Sequence, residues 1–184
     1  KYMQKHHIQT LANMQAEFIK RATRSLIQQH KIIIGWDEIA AADIPPTTAV
    51  EVWRGAAHTA AATAAGHPVV VSDGYYLDRL LPASASYAQD PFAPQALSTE
   101  AEAAGQASGP GGTLNSTLNP APAPLSDQQK QLILGAEGAL WTEVVSEEML
   151  DARLWPRMAA LAERFWSPAS LCHTETLYQR LAIT

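Results

Sequence analysis

The chain has 184 residues, 47% hydrophobic and 17% charged, a balance that suits one globular unit or a large piece of one. Its net charge is −5 with no run of Lys or Arg, which argues against nucleic acid or an anionic membrane as partner. Cys172 stands alone and the six histidines show no ligand spacing, so no disulfide, metal or cofactor is expected.

From Thr10 to His30, Leu11, Met14, Phe18, Ala22, Ser25 and Leu26 fall at helical spacing among Gln, Lys and Arg, which predicts an amphipathic helix with one buried face. The run Lys31 to Trp36 is β-branched and continuous, as in a strand covered on both faces of a parallel sheet. Pro45-Pro46 then blocks helix, and Ala49 to Trp53 reads as a second strand. Ala56 to Ala65 is Ala-rich and helical, Gly66 stands at its C-cap position, and Pro68 to Ser72 makes a third strand. The segment from Leu97 to Ser126, rich in Ala, Gly, Ser, Pro and Asn, has too little apolar surface to offset its ordering entropy and reads as a mobile surface insertion. Gln131 to Gly135 is a fourth strand, and Glu147 to Trp166 a helix that Pro156 kinks or divides. No apolar stretch reaches 18 residues, so no membrane span is expected. The opening at Lys1 inside a helical pattern and the closing run Arg180 to Thr184 read as cuts, so a signal peptide cannot be sought.

Strands alternating with helices imply parallel βα units, because parallel neighbours need a crossover connection. Both doubly wound sheets and closed barrels satisfy that pattern. The barrel is favoured because aromatic and acidic residues gather where strands end, in Gly35-Trp36-Asp37-Glu38, Val52-Trp53-Arg54-Gly55, Tyr76-Leu77-Asp78 and Trp141-Thr142-Glu143. Flat rings for a sugar's C–H face beside carboxylates for its hydroxyls are what a pyranose pocket needs. Asp78 and Glu143 each lie two residues past an aromatic, the offset that returns a side chain to one face of an extended strand. There is no Gly-rich phosphate loop to support a nucleotide site.

These segments, together with Ser72 to Asp78, Gly135 to Glu143, Trp155-Pro156-Arg157 and Ala160 to Ser167, resemble the β-N-acetylhexosaminidases of glycoside hydrolase family 20. The resemblance runs from the first helix to about Pro168, the insertion excepted. It implies an α/β fold, the C-terminal half of a (β/α)8 TIM barrel over 1–168, with 169–184 starting a helical extension. It also implies an exo-acting hydrolase that removes terminal N-acetylglucosamine or N-acetylgalactosamine from chitooligosaccharides or glycans, with no metal. In that family the substrate's own 2-acetamido oxygen attacks C1. By the resemblance, Trp36 and Trp53 wall the acetamide and Trp141 lies under the pyranose. Tyr76 donates to the acetamide oxygen, and Asp78 and Glu143 hold the hydroxyls at C4 and C6.

The family's catalytic Asp-Glu pair sits in a His-x-Gly-Gly/Ala-Asp-Glu setting that this chain lacks, so it is expected upstream, with the rest of the barrel. Asp37-Glu38 belongs to the next strand's motif and is expected to support the pocket, and Arg54 to pair with a barrel carboxylate. Some members place a further tryptophan after Asp78; between Leu80 and Pro91 the only aromatic is Tyr87, a candidate substitute. Trp155, Arg157, Glu163 and Trp166 match the family on the closing helix, where packing is expected. A catalytically silent sugar-binding barrel, and a conventional retaining glycosidase using Asp37 or Glu38, remain as alternatives. The resemblance makes a periplasmic or exported bacterial enzyme the expectation for localisation.

Overall fold

The computed structural model describes residues 1–93 and 123–183. The predicted insertion at 97–126 therefore lies, up to residue 122, outside the described residues. Four strands, β1 (Ile34–Trp36), β2 (Ala49–Val52), β3 (Val69–Val71) and β4 (Ile133–Ala136), form one parallel sheet in sequence order. The register places Trp36 beside Glu51, Val52 beside Val71, and Val71 beside Ala136. The first apolar run pairs over its distal residues only, since Lys31 to Ile33 precede the ladder.

Helices α1 (Tyr2–Lys5) and α2 (Leu11–Gln28) come first, and α2 starts where the Thr10 hydroxyl accepts from the Asn13 backbone N–H. A 3-10 turn over Asp37–Ala41 carries the chain from β1 to β2. The Ala-rich α3 (Ala56–Ala64) links β2 to β3 and stops at Gly66, whose φ of +86° only glycine adopts cheaply. After β3 come α4 (Ala83–Ala88) and, before β4, α5 (Asp127–Lys130). The helix expected over 147–166 is divided: a 3-10 turn leads into α6 (Leu150–Leu154), and α7 (Arg157–Trp166) restarts after Pro156, which has no N–H to continue a ladder. The chain then runs through 3-10 turns into α8 (Leu177–Leu181).

The core forms on one face of the sheet. Val50, Val52 and Val69 are fully buried there, with Val71, Ile133, Ala62 of α3 and Leu161 of α7. Alternation along a strand sends Ile34, Trp36, Glu51, Trp53, Val70 and Ser72 to the opposite face. Three expectations of burial fail. Ile34 is 53% and Ile32 95% exposed, because β1 is the edge of the sheet and nothing among the described residues covers its open face. On α2, the stripe of Leu11, Met14, Phe18 and Leu26 is also exposed; Ala16, Ile19 and Thr23 supply the packed side instead. Periodicity locates an apolar stripe, but the tertiary contacts decide which side of the helix is covered. Trp166, expected to pack, is 92% exposed, since α7 presents Met158, Leu161 and Phe165 to the sheet and Ala160 to Tyr87 and Leu177.

Candidate functional site

Because all four strands run the same way, their carboxyl ends meet at one rim. Trp36 closes β1, Trp53 follows β2, Tyr76 follows β3 and Trp141 follows β4. The β3 and β4 extensions are tied together by a parallel bridge between Tyr76 and Ala139 and by the Leu77 N–H donating to Ala139 O at 2.7 Å. That pairing sets Tyr76-Leu77-Asp78 alongside Gly138 to Trp141.

The rings of Trp36 and Trp141, from opposite ends of the sheet order, approach with centroids 6.0 Å apart and planes at 50°. Asp78 joins them, its Oδ1 accepting the Trp141 backbone N–H at 3.3 Å. Trp141 and Trp53 remain 45% and 37% exposed, so their faces are open to a ligand. Trp53 is held through its edge: the indole N–H donates to Glu38 Oε1 at 3.2 Å. Tyr76 is nearly buried, with the Arg79 guanidinium 5.2 Å over its ring. Burial pushes its hydroxyl up to about 12, the Ser72 hydroxyl pulling the other way, so it stays a neutral O–H donor at any working pH. Glu143 is exposed, two residues beyond Trp141.

Asp37 is buried and engaged. Its Oδ1 takes the Arg54 Nε–H at 2.5 Å and its Oδ2 the Arg54 backbone N–H at 3.3 Å, the carboxylate pairing expected for Arg54. With Asp37 on arginine and Glu38 on Trp53, both acids serve the walls. Tyr87, the candidate for the missing tryptophan, is placed elsewhere: it is 1% exposed, packs with Ala160 and Leu177, and its hydroxyl accepts from Arg180 at 2.8 Å. It sits on α4, which faces α7 rather than the rim, so it forms no part of the acetamide wall.

Sequence reasoning assigned Arg157 to packing, whereas it has a sharper task. Its guanidinium donates to the carbonyls of Leu77 and Arg79, both at 2.6 Å, and also to Arg153 O. Asp78 is thereby pinned by carbonyls on either side. Glu163 is ion-paired to Arg180 at 3.1 Å, tying α7 to α8. The acids Glu51 and Glu137 were missed altogether. The signal was present, since a glutamate between the valines of Ala49-Val50-Glu51-Val52 must face away from the apolar core. Among the described residues no group of three or more His, Cys, Asp or Glu is placed to hold a metal, and no helix is long and apolar enough to cross a membrane.

Consecutive parallel βα units with aromatic rings and acids at the strands' carboxyl ends define part of an α/β barrel of the kind that takes its ligand at that rim. The chain belongs to glycosyl hydrolase family 20, whose catalytic-domain profile matches residues 1–169. It is 30% identical to the beta-hexosaminidase subunit beta of Rattus norvegicus over 92% of this chain and 28% of that protein. To the beta-hexosaminidase of Porphyromonas gingivalis it is 32% identical over 84% of this chain and 18% of the relative. Among solved structures, the chitobiase of Flavobacterium johnsoniae superposes with a TM-score of 0.73 at 28% identity, over 99% of this chain and 25% of that one. The N-acetyl-beta-hexosaminidase of Streptomyces plicatus, solved with Thio-NAglucal, gives 0.67 at 26% identity, over 95% and 34%. The chain thus spans about a quarter of the length of the relatives it matches.

Proposed function

We propose that this chain supplies the sugar-holding side of an exo-β-N-acetylhexosaminidase, which removes terminal N-acetylglucosamine or N-acetylgalactosamine from chitooligosaccharides or glycans by substrate-assisted, retaining catalysis. The observation that carries this reading is the approach of Trp36 to Trp141 with Asp78 bonded to the Trp141 backbone, two flat walls and an acceptor at one rim. The family and the Streptomyces plicatus complex with Thio-NAglucal support the same ligand class. On this reading Trp36 and Trp53 restrict the acetamide to an attacking geometry and exclude water. Tyr76 donates to the acetamide oxygen, Trp141 carries the pyranose, and Asp78 and Glu143 hold its outer hydroxyls. The acid that protonates the leaving oxygen belongs to an Asp-Glu pair upstream of this chain.

The full-length protein is tested with 4-nitrophenyl N-acetyl-β-D-glucosaminide. Hydrolysis is expected, blocked by a thiazoline mimic of the oxazolinium ion, which a two-carboxylate glycosidase would not bind tightly. Tyr76→Phe is expected to lower kcat about a hundredfold while KM stays within about threefold, because the hydrogen bond strengthens as charge develops. Equal kcat values would remove Tyr76 from this role. Sugar binding without any hydrolysis would reduce the protein to a binding barrel.

A further inference from the structure

The chain crosses from β1 to β2 through the 3-10 turn Asp37–Ala41, where a βα unit ordinarily places a full helix. The side of α3 that meets this turn carries short side chains. His58, Ala61, Ala62 and Ala65 fall three and four residues apart on one helical face, and with Ala40 and Ala41 of the turn they border a cavity of about 230 Å3. Methyl groups are too short to close it. The space exceeds what one water needs, yet falls below the roughly 300–1,000 Å3 that takes a drug-sized ligand. None of Trp36, Trp53, Tyr76 or Trp141 borders it, so it is separate from the rim.

Arg54 and His67 complete the wall. Arg54 commits its Nε to Asp37, and its two Nη groups have no acceptor among the described residues. The Asp37 side chain is 2% exposed and both its oxygens accept from Arg54, so an occupant meets the guanidinium rather than the carboxylate. His67 is 7% exposed and fixed by its backbone N–H donating to Ala62 O at 3.1 Å. Its Nδ1 is buried without a partner. A buried N–H lacking an acceptor is costlier than an idle lone pair, so the proton resides on Nε2, the ring nitrogen that keeps access to the cavity. Arg54 and His67 thus present donors, and alanines supply the apolar remainder.

We propose that this cavity binds a short-chain carboxylate, its head accepting from the Nη groups of Arg54 and from His67 Nε2–H, its alkyl tail lying on the alanines of α3. Planar guanidinium and carboxylate match in geometry and charge, and the tail covers methyl groups that water leaves poorly solvated. A compact oxyanion such as phosphate meets the same donors but makes no apolar contact. A metal cation does not suit the site, since among the described residues no three His, Cys, Asp or Glu are placed to hold one.

The test titrates butyrate into the full-length protein and follows broadening of the butyrate methyl resonance. Saturable binding to one site is expected, at least about tenfold tighter than that of 1-butanol, which has the same tail and no charge. It should also be at least about threefold tighter than that of inorganic phosphate, which lacks the tail. Ala61→Leu, on the exposed side of α3, fills the cavity with a good helix former and is expected to abolish binding. His67→Phe keeps the ring and loses the Nε2–H donor, and should weaken binding about tenfold. Absence of saturable binding overturns the proposal, and so does butyrate held equally well by the Ala61→Leu protein. Phosphate or 1-butanol binding as tightly as butyrate overturns the carboxylate assignment. Should His67→Phe not fold, Ala61→Leu decides alone. Hydrolysis enters none of these measurements, so their failure leaves the hydrolase reading intact, and an inactive parent leaves this site intact.

Discussion

Single residues at the rim have two jobs, touching a ligand or holding the residue that does. Glu38 holds Trp53 by one hydrogen bond to an exposed indole, so Glu38→Ala is expected to raise KM about fivefold with little change in stability, read by steady-state kinetics. Asp37→Ala breaks the pair with Arg54; because the Arg54 side chain is 40% exposed, the loss is set at about 2 kcal/mol, below that of a fully buried pair, and is measured by urea unfolding. Glu51 works against the fold at neutral pH. Burial, and then the charge of Glu137 beside it, raise its carboxyl above the ordinary 4.5, so the folded protein binds the proton more tightly than the unfolded chain. The favourable share is complete below 4.5 and disappears as pH rises through the folded value. Glu51→Gln should therefore flatten the rise in melting temperature toward acid pH, by calorimetry. The ligand-facing candidates were legible because an aromatic and an acid at a strand's end form a chemical pattern. Tyr87 was misread because an aromatic in a loop carries no sign of which way it faces, and Arg180 and Leu177, which fix it, lie some ninety residues on.

Elements were legible wherever one physical cause dominates. Short apolar runs between helical stretches gave all four strands, and Pro156 gave the break between α6 and α7. What the chain could not reveal was the covered side of α2 or the partners of Arg157, since both depend on residues far along the sequence. Arg157 joins α7 to the segment carrying Tyr76 and Asp78 through backbone carbonyls, which have no sequence signature. Arg157→Met leaves those carbonyls without their donor, and is expected to cost about 2–3 kcal/mol in denaturant unfolding. It should also lower kcat, by loosening the Tyr76 segment. Arg157→Lys restores one bond and part of the stability.

At the scale of the molecule, the sheet has one packed face and one open one. Ile34 and Leu134 are 53% and 66% exposed on the open side, and β1 and β4 each offer an unpaired edge among the described residues. The 184 residues expressed alone are expected to bind a hydrophobic dye and to aggregate; a monomer with a sharp two-state melt would contradict the partial barrel. The strand order has a wider consequence. Since β1 to β4 follow the sequence in order, the contacts proposed for Trp36, Trp53, Tyr76, Asp78, Trp141 and Glu143 lie on one length of chain, while the proposed proton donor lies upstream of it. Exchanging this length between family relatives should therefore carry over the handling of the acetamide and of the C4 and C6 hydroxyls by these residues without replacing the acid, so that grip and proton transfer can be exchanged as separate parts of one barrel.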